Sequence, residues 1–363
     1  MMVQLGSRLV HRSEAPARTV MITGDLQILG RSLATRLAGR TNVRTIGQPE
    51  RSAGGDVSVI AGSMAAPQFG LSPAAYRELA GQVDAVVHLS SASTFAASGA
   101  YEVLRTRRVL NFVEAADAPL YWVSSAFVNT GGPSGRHRQT GWLADDSRLM
   151  VQSLIQTSAP EHVAIRSSMV IGDSRTGAIA AFPGIYRVLA AMLQHGHLAA
   201  MPVDLNWRLD LMPCDVVADI TARLIEHRVT DREVWVTMGE QALRIEQVFG
   251  LLQTFAAEPG RDLSPSAFPL VGPQMRRYES FLQALSPGQR RVVAGLVDLF
   301  VDQLVHREPL ESSLGDGFAN SLGELGALGI EPLPDPGATL LASLQYWRSR
   351  QNEQQDIKQA AVA

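Results

Sequence analysis

"TVMITGDLQILGRSLATRL", residues 19–37, decides the fold. Its first five residues are apolar or β-branched, the composition of a buried strand; a glycine follows, and Leu29–Leu37 carries apolar residues at helical spacing. A strand that runs through a glycine turn into a helix is the opening unit of a parallel α/β sheet. The turn itself, "TGDLQILG" (Thr23–Gly30), stands where such sheets let the backbone approach a dinucleotide pyrophosphate at a helix N-terminus. Gly24 and Gly30 fit that role, with Leu26, Gln27 and Ile28 between them. The middle position is Gln27, a side chain where backbone and phosphate would meet. Two glycines six apart leave two readings open: a phosphate turn, or a tight turn at Gly24 with close helix packing at Gly30.

The same alternation continues outward. "NVRTI", "VSVIAG", "DAVVHLSS", "PLYWVSSAFV" and "HVAIRSSMVIG" read as five further strands. Between them lie helices at "PAAYRELAGQ", where Tyr76 and Leu79 share one face, at Tyr101–Ala116 and at Ser147–Thr157. Strands this uniformly apolar, separated by helices, predict an α/β fold: a doubly wound, Rossmann-like parallel sheet covered on both faces, with ligands at the carboxyl ends of its strands. Beyond about residue 230 helical segments dominate ("IEQVFGLLQTFA", "RRVVAGLVDLFVDQLV", "ATLLASLQYWRSRQ"), joined by loops such as "DLSPSAFPLVGP". The expected organisation is an N-terminal extension (1–18), a Rossmann-like core (19–230), a mainly helical cap on the substrate side (231–350) and a disordered polar tail (351–363).

Composition narrows the function classes. The chain has 363 residues, 46% hydrophobic and 18% charged, the balance of a globular enzyme rather than a disordered chain. A net charge of −3 without a basic run argues against nucleic acid as partner. The single cysteine, Cys214, excludes an internal disulfide and a cysteine metal cluster, and no His/Asp/Glu spacing suggests a metal site. No apolar run has the length of a membrane span, and the first twenty residues lack a signal-peptide core, so a cytoplasmic protein is expected. Lysine occurs once, at Lys358, so no other lysine is available to any site.

Several segments in order, "MITGDLQILGRSLATRL", "GLSPAAYRELAGQVDAVVHLSS", "LYWVSSAFV", "VAIRSSMVIGDSRTG" and "LDLMPCDVVADITARLI", give the chain its likeness. It resembles the extended short-chain dehydrogenases, within them the thioester-reductase and fatty-acyl-reductase group, and "FANSLGELGALGIEPLPDPGATLLASLQYW" looks like that group's C-terminal helices. The resemblance covers roughly residues 19–350. It implies NADP(H) or NAD(H) as cofactor, with Gly24, Leu26, Gln27, Ile28, Gly30, Arg51, Ser63, Ser90 and Arg166 on the cofactor side. It also implies a Ser or Thr, a Tyr and a Lys four residues after it as the catalytic set. Tyrosine relays a proton, lysine lowers its pKa and holds the ribose, and serine polarises the carbonyl oxygen.

The residues depart from that set. Ser125 matches the serine, but Ala144 stands at the tyrosine position and Arg148 at the lysine position. No tyrosine occurs between Tyr121 and Tyr186. Arginine can hold a ribose hydroxyl but, always protonated, cannot pass a proton on. The helix after Tyr101 offers Arg107 and Arg108 where an asparagine is expected. The arginine that reads a 2′-phosphate is replaced by Gln48, with Arg51 close by; Gly62–Ser63 and Leu89–Ser91 replace the adenine-side motifs.

Other groups admit two readings each. Asp145 and Asp146 are either carboxylate bases or favourable charges at a helix N-terminus; His137 is an acid–base group or an exposed loop residue. Arg166 and Asp215 either shape the acyl and phosphopantetheine side of the cleft or bridge loops and cap a helix. Three functions follow. One is a redox-impaired relative that binds an acyl thioester on an acyl carrier protein or coenzyme A and releases or cyclises it without hydride. Another is a noncatalytic scaffold, self-associating or paired with an active homologue; an atypical reductase is the third.

Overall fold

The structure, a computed structural model, describes residues 17–24, 26–47, 57–90, 99–126, 143–159, 161–182, 185, 186, 189, 193, 206, 208–256 and 320–360. Its strands are β1 (Thr19–Gly24), β2 (Asn42–Gly47), β3 (Val57–Ala61), β4 (Ala85–Leu89), β5 (Leu120–Ser125), β6 (His162–Ser167), β7 (Met169–Ile171), β8 (Arg208–Leu209), β9 (Leu211–Pro213), β10 (Arg232–Val236) and β11 (Leu243–Arg244). Seven of them form one sheet in the order β10-β6-β5-β4-β1-β2-β3, every neighbouring pair parallel. Strand order reverses at β1, flanked by β2 and β4, the switch point of a doubly wound sheet. β7 pairs with β9 and β8 with β11 in two small separate sheets.

The helices are α1 (Arg31–Leu37), α2 (Pro73–Ala80), α3 (Gly99–Ala116), α4 (Leu143–Ser158), α5 (Cys214–Glu226), α6 (Ile245–Ala256) and α7 (Pro336–Ala360). Strand alternation divides the interior in two. Tyr121 and Val123 of β5 face a core shared with Leu33 of α1, Val217 of α5, Val248 of α6 and Leu340 of α7. Leu120 and Trp122 face the opposite core, with Tyr76 of α2, Phe112 of α3 and Ile155 of α4. In that second core Phe69, Tyr76 and Phe112 form an aromatic trio with ring centroids 5.4–6.0 Å apart.

The expected α/β, Rossmann-like class holds, with four local differences. One π turn, Leu26–Gly30, precedes α1, so the helix proper starts at Arg31. The sixth apolar run breaks at Ser168, whose amide donates to Val236 O at 3.2 Å, and its second half, β7, leaves the main sheet. "REVWV" adds a seventh strand beside β6, so the core expected to end at 230 extends through Val236. Finally, α7 continues through residues 351–360, which polarity alone assigned to a disordered tail. "DLSPSAFPLVGP" and "RRVVAGLVDLFVDQLV" lie outside the described residues.

Candidate functional site

Three clusters gather at the carboxyl ends of the strands. The first is the glycine turn. Gly24 has φ +96°, and a Cβ there would lie 1.9 Å from the carbonyl oxygen of Leu89 on the neighbouring strand. A Cβ on Gly30 would lie 2.9 Å from Cδ2 of Leu26. Both glycines therefore serve a tight turn and close packing, the roles the first and last glycines of a dinucleotide turn also have, so the middle position decides the fit. The amide of Gly24 donates to Sδ of Met64 at 3.3 Å, and Nη2 of Arg105 approaches the same sulfur at 3.6 Å. With Gln27 in the middle position, the residues present do not fit a pyrophosphate. Ser63 is exposed, and its Oγ accepts from the amide of Ala65 at 3.4 Å. Arg51, Gln48 and His137 lie outside the described residues.

The second cluster sits at the ends of β4, β5 and β6. Ser124 and Ser125 pair in register with Arg166 and Ser167. Arg166 is fully buried: its Nε donates to Oε1 of Glu233 at 2.6 Å, its Nη1 to Oγ of Ser124 at 3.4 Å, and its guanidinium lies 4.9 Å from the Trp122 ring. Its Nη2 meets no acceptor among the described residues. The indole of Trp122 donates to Oγ of Ser90 at 2.7 Å, which draws Ser90 into the same group. Arg166 thus ties the sheet's edge strand β10 to β5. Ser125 is partly exposed, and in the β5 alternation it follows Tyr121 and Val123 toward the α1 and α5 face. Positions 144 and 148 fall one turn apart within α4.

The third cluster is the loop "IGDSRTG". Asp215, in the first turn of α5, accepts from the Ser174 amide at 2.8 Å and from its hydroxyl at 2.7 Å. Oδ1 of Asp173 collects the amides of Arg175 and Thr176 and the hydroxyl of Thr176. These bonds hold the Asp173 carboxyl below its usual range against the opposing effect of burial. Gly177, at φ +68°, presses on the backbone of α7: a Cβ would lie 2.1 Å from the carbonyl of Ala342. Between this loop, α1, α5 and α7 opens a cleft of about 710 Å³ that joins Gln27 and Ile28 of the turn to Asp173, Ile179, Asp215 and Tyr346. Ser125, Ser63, Ser90 and Arg166 are not among its lining residues.

Four buried titratable groups surround these clusters. His88 lies between Thr23 Oγ1 (3.1 Å from Nδ1) and Thr106 Oγ1 (3.4 Å from Nε2); burial, then Arg105, lowers its pKa to about 3. Asp210 accepts from the Met238 amide at 2.9 and 3.1 Å, and burial raises its pKa to about 6. Burial raises the Cys214 thiol to about 11, so it is no thiolate nucleophile, and the Tyr186 phenol to about 12. Tyr186 accepts the Gly172 amide at 2.9 Å. Met64, Trp122, Glu233 and His88 escaped the sequence reading, since each works through neighbours that only the fold assembles. Among the described residues no group of three His, Cys, Asp or Glu gathers as a metal site, and no helix is long and apolar enough to cross a membrane.

Sheet order and switch point define a doubly wound, Rossmann-like fold, and the comparisons place the chain among the extended short-chain dehydrogenases/reductases of the thioester-reductase-like group. The male sterility protein family, an NAD-binding family, matches residues 30–141 and 134–221, and the chain belongs to it. Among curated relatives, glycine betaine reductase ATRR of Emericella nidulans is 25% identical over 230 residues, 56% of this chain and 17% of that protein. The hybrid PKS-NRPS synthetase pvhA of Talaromyces variabilis is 26% identical over 311 residues, 78% of this chain but 7% of that protein. This chain thus spans a small part of the relatives it matches. Among solved structures, the terminal R domain of the myxalamid PKS-NRPS pathway superposes with TM-score 0.66 at 20% identity, covering 95% of this chain and 94% of that one. The R domain of a nonribosomal peptide synthetase from Mycobacterium tuberculosis gives 0.60 at 17%, with 93% of each chain covered.

Proposed function

We propose that this R-domain-like chain is redox-impaired, and that it binds an acyl or peptidyl thioester carried on a carrier protein or coenzyme A and releases or cyclises it without hydride transfer. The observation that carries the proposal is the sequence of α4, residues 143–158: Ala144 and Arg148 stand where the resemblance puts the tyrosine and lysine of the proton relay. Alanine has no proton to give, and an arginine does not cycle between protonation states near neutrality.

A redox-free route balances without a cofactor. A base removes a proton from the acidic carbon of the chain, and the carbanion attacks the thioester carbonyl. The carbon–sulfur bond breaks, and the thiolate leaves and is protonated: ring closed, free thiol, no net redox change. The oxygen that gains charge in this step needs a hydrogen-bond donor, and the Ser125 hydroxyl is suited to that part. The wet, polar cleft of about 710 Å³ beside "IGDSRTG" has room for an amide-rich tether.

The test is single-turnover release from a carrier protein loaded with a β-ketoacyl thioester, in buffer free of nicotinamide. Ser125→Ala is expected to slow release at least about tenfold with an unchanged melting curve. Release that appears only when NADPH is added would sink the proposal.

A second reading, a noncatalytic subunit, rests on one specific observation. Tyr101 and Leu104 of α3 and Leu149 and Met150 of α4, two helices packed side by side, expose 38–58% of their surface. A fold-mate presenting the same helix pair is the partner such a face would take, and sedimentation equilibrium of the chain, alone and mixed with an active R domain, is its test.

A further inference from the structure

We infer that Met64 fills the adenosine side of the glycine turn, making this turn a packed joint instead of a nucleotide site. This rests on the redox-free reading above and names the device behind it. The amide of Gly24 is the first backbone donor beyond the buried part of β1, the kind of group a dinucleotide turn turns outward. Here it ends on Met64 Sδ at 3.3 Å. The sulfur is also where Arg105 rests its Nη2 at 3.6 Å, with Nη1 3.7 Å from Oε2 of Glu102 and its guanidinium over the Tyr101 ring at 5.6 Å. A donor and a cation that could meet a ribose or a phosphate are both engaged by one side chain and its neighbours.

Met64 is not free to swing aside. It is 8% exposed and belongs to the core of α2 and α3. Its loop is stapled at both ends: the Ser63 amide donates to Phe69 O at 2.9 Å, and the Phe69 amide to Ala66 O at 3.1 Å. Gln68 and Phe69 hold positive φ, 49° and 58°, a conformation that costs energy and is kept by complete burial of the Phe69 ring. A flexible thioether usually fills irregular gaps; this one is set on a rigid loop and aimed at an amide.

The experiment is calorimetric titration of NADPH and of NADH into the full chain, as wild type, Met64→Leu, Met64→Ala and Met64→Val, each checked for a cooperative melt. Wild type and Met64→Leu, which keep the space filled, are expected to give no heat up to about 1 mM. Met64→Ala, or Met64→Val if the alanine variant does not fold, is expected to bind at least one of the two about tenfold or more tightly than Met64→Leu. Binding by the wild type as tight as by the small variants overturns the inference and the redox-free reading together. Folded small variants that bind no better than Met64→Leu overturn the inference alone, leaving thioester release without nicotinamide as the independent measure of the functional reading.

Discussion

A methyl group at Gly24 has nowhere to go. The residue combines φ +96° with a Leu89 carbonyl 1.9 Å from the place a Cβ would take. Gly24→Ala is therefore expected to cost about 3 kcal/mol or more, read as a lower urea midpoint at unchanged slope. Such a loss follows whether or not a nucleotide ever binds, so a glycine at this position says little about cofactor use. Arg166 offers a sharper contrast. It is completely buried, whereas the side chain of its partner Glu233 is 41% exposed. Removing Glu233 strands a buried cation; removing Arg166 leaves a carboxylate that can turn to water. Glu233→Ala should then cost about 3–5 kcal/mol and Arg166→Met clearly less, since its unbranched chain still packs on Trp122. Equal losses would mean that Arg166 has another counter-charge.

Two buried groups set opposing pH dependences. Asp210 has its pKa raised from 3.8 to about 6, so the folded state holds the proton more tightly than the unfolded one. Its contribution is most favourable at low pH and is lost as pH rises from about 4 to about 6; against Asp210→Asn, wild type should gain on the order of 2–3 kcal/mol across that window on acidification. His88 has its pKa lowered to about 3, so the unfolded state binds the proton first. Its contribution is complete above about 6.5 and falls as pH drops toward 3. Urea midpoints of wild type, Asp210→Asn and His88→Asn between pH 4 and 7.5 separate the two; parallel curves for all three would refute both assignments.

At the scale of elements, the parts of the chain that were legible share one property: their own composition decided them. The β-branched run of β1 and the mostly apolar β4 and β5 read as buried strands, which carried the sheet. The edge strand β10 did not, because "REVWV" has two charged residues in five and is paired with a strand on one side only, its outer side being met by Ser321 from far along the chain. Residues 351–360 misled in the other direction. "QNEQQDIKQA" has no apolar stripe, but glutamine, glutamate, lysine and alanine are good helix formers, and a helix already begun at Pro336 extends through them at little cost. Candidate site positions can be proposed where they lie along the chain, as at Ala144 and Arg148, but contacts made across the fold, such as Met64 with Gly24 or Arg166 with Glu233, leave no signal there.

The loop "IGDSRTG" is the element whose role the structure specifies best. Asp215 holds it to α5 and Gly177 holds it to α7, with a Cβ at Gly177 only 2.1 Å from the Ala342 carbonyl. Gly177→Ala should push α7 off its seat: about 2–3 kcal/mol of stability lost, and faster protease cleavage after Arg348 or Arg350 than in wild type. Cleavage at the wild-type rate would show that the loop can give way without moving the helix.

For the whole molecule, one sheet serves two cores, and that arrangement fixes how the molecule comes apart. Trp122 reports on the core of α2, α3 and α4, and Trp347 packs against the other, with α1, α5 and α6. Neither core is closed without the strands they share: Leu120 and Trp122 point into one, Tyr121 and Val123 into the other, all from β5. A sheet cannot lose one covering layer and keep buried strands, so the two layers should unfold together. The fluorescence lost in Trp122→Phe and that lost in Trp347→Phe should trace the same urea transition, with one midpoint and one slope. Gly177→Ala, which strains the α7 seat, should then lower the Trp347 and Trp122 midpoints together. Separate transitions already in the wild type would mean that α7 and its loop form a unit of their own, docked on the sheet rather than built into it, and the cleft beside "IGDSRTG" would then be a hinge between two bodies.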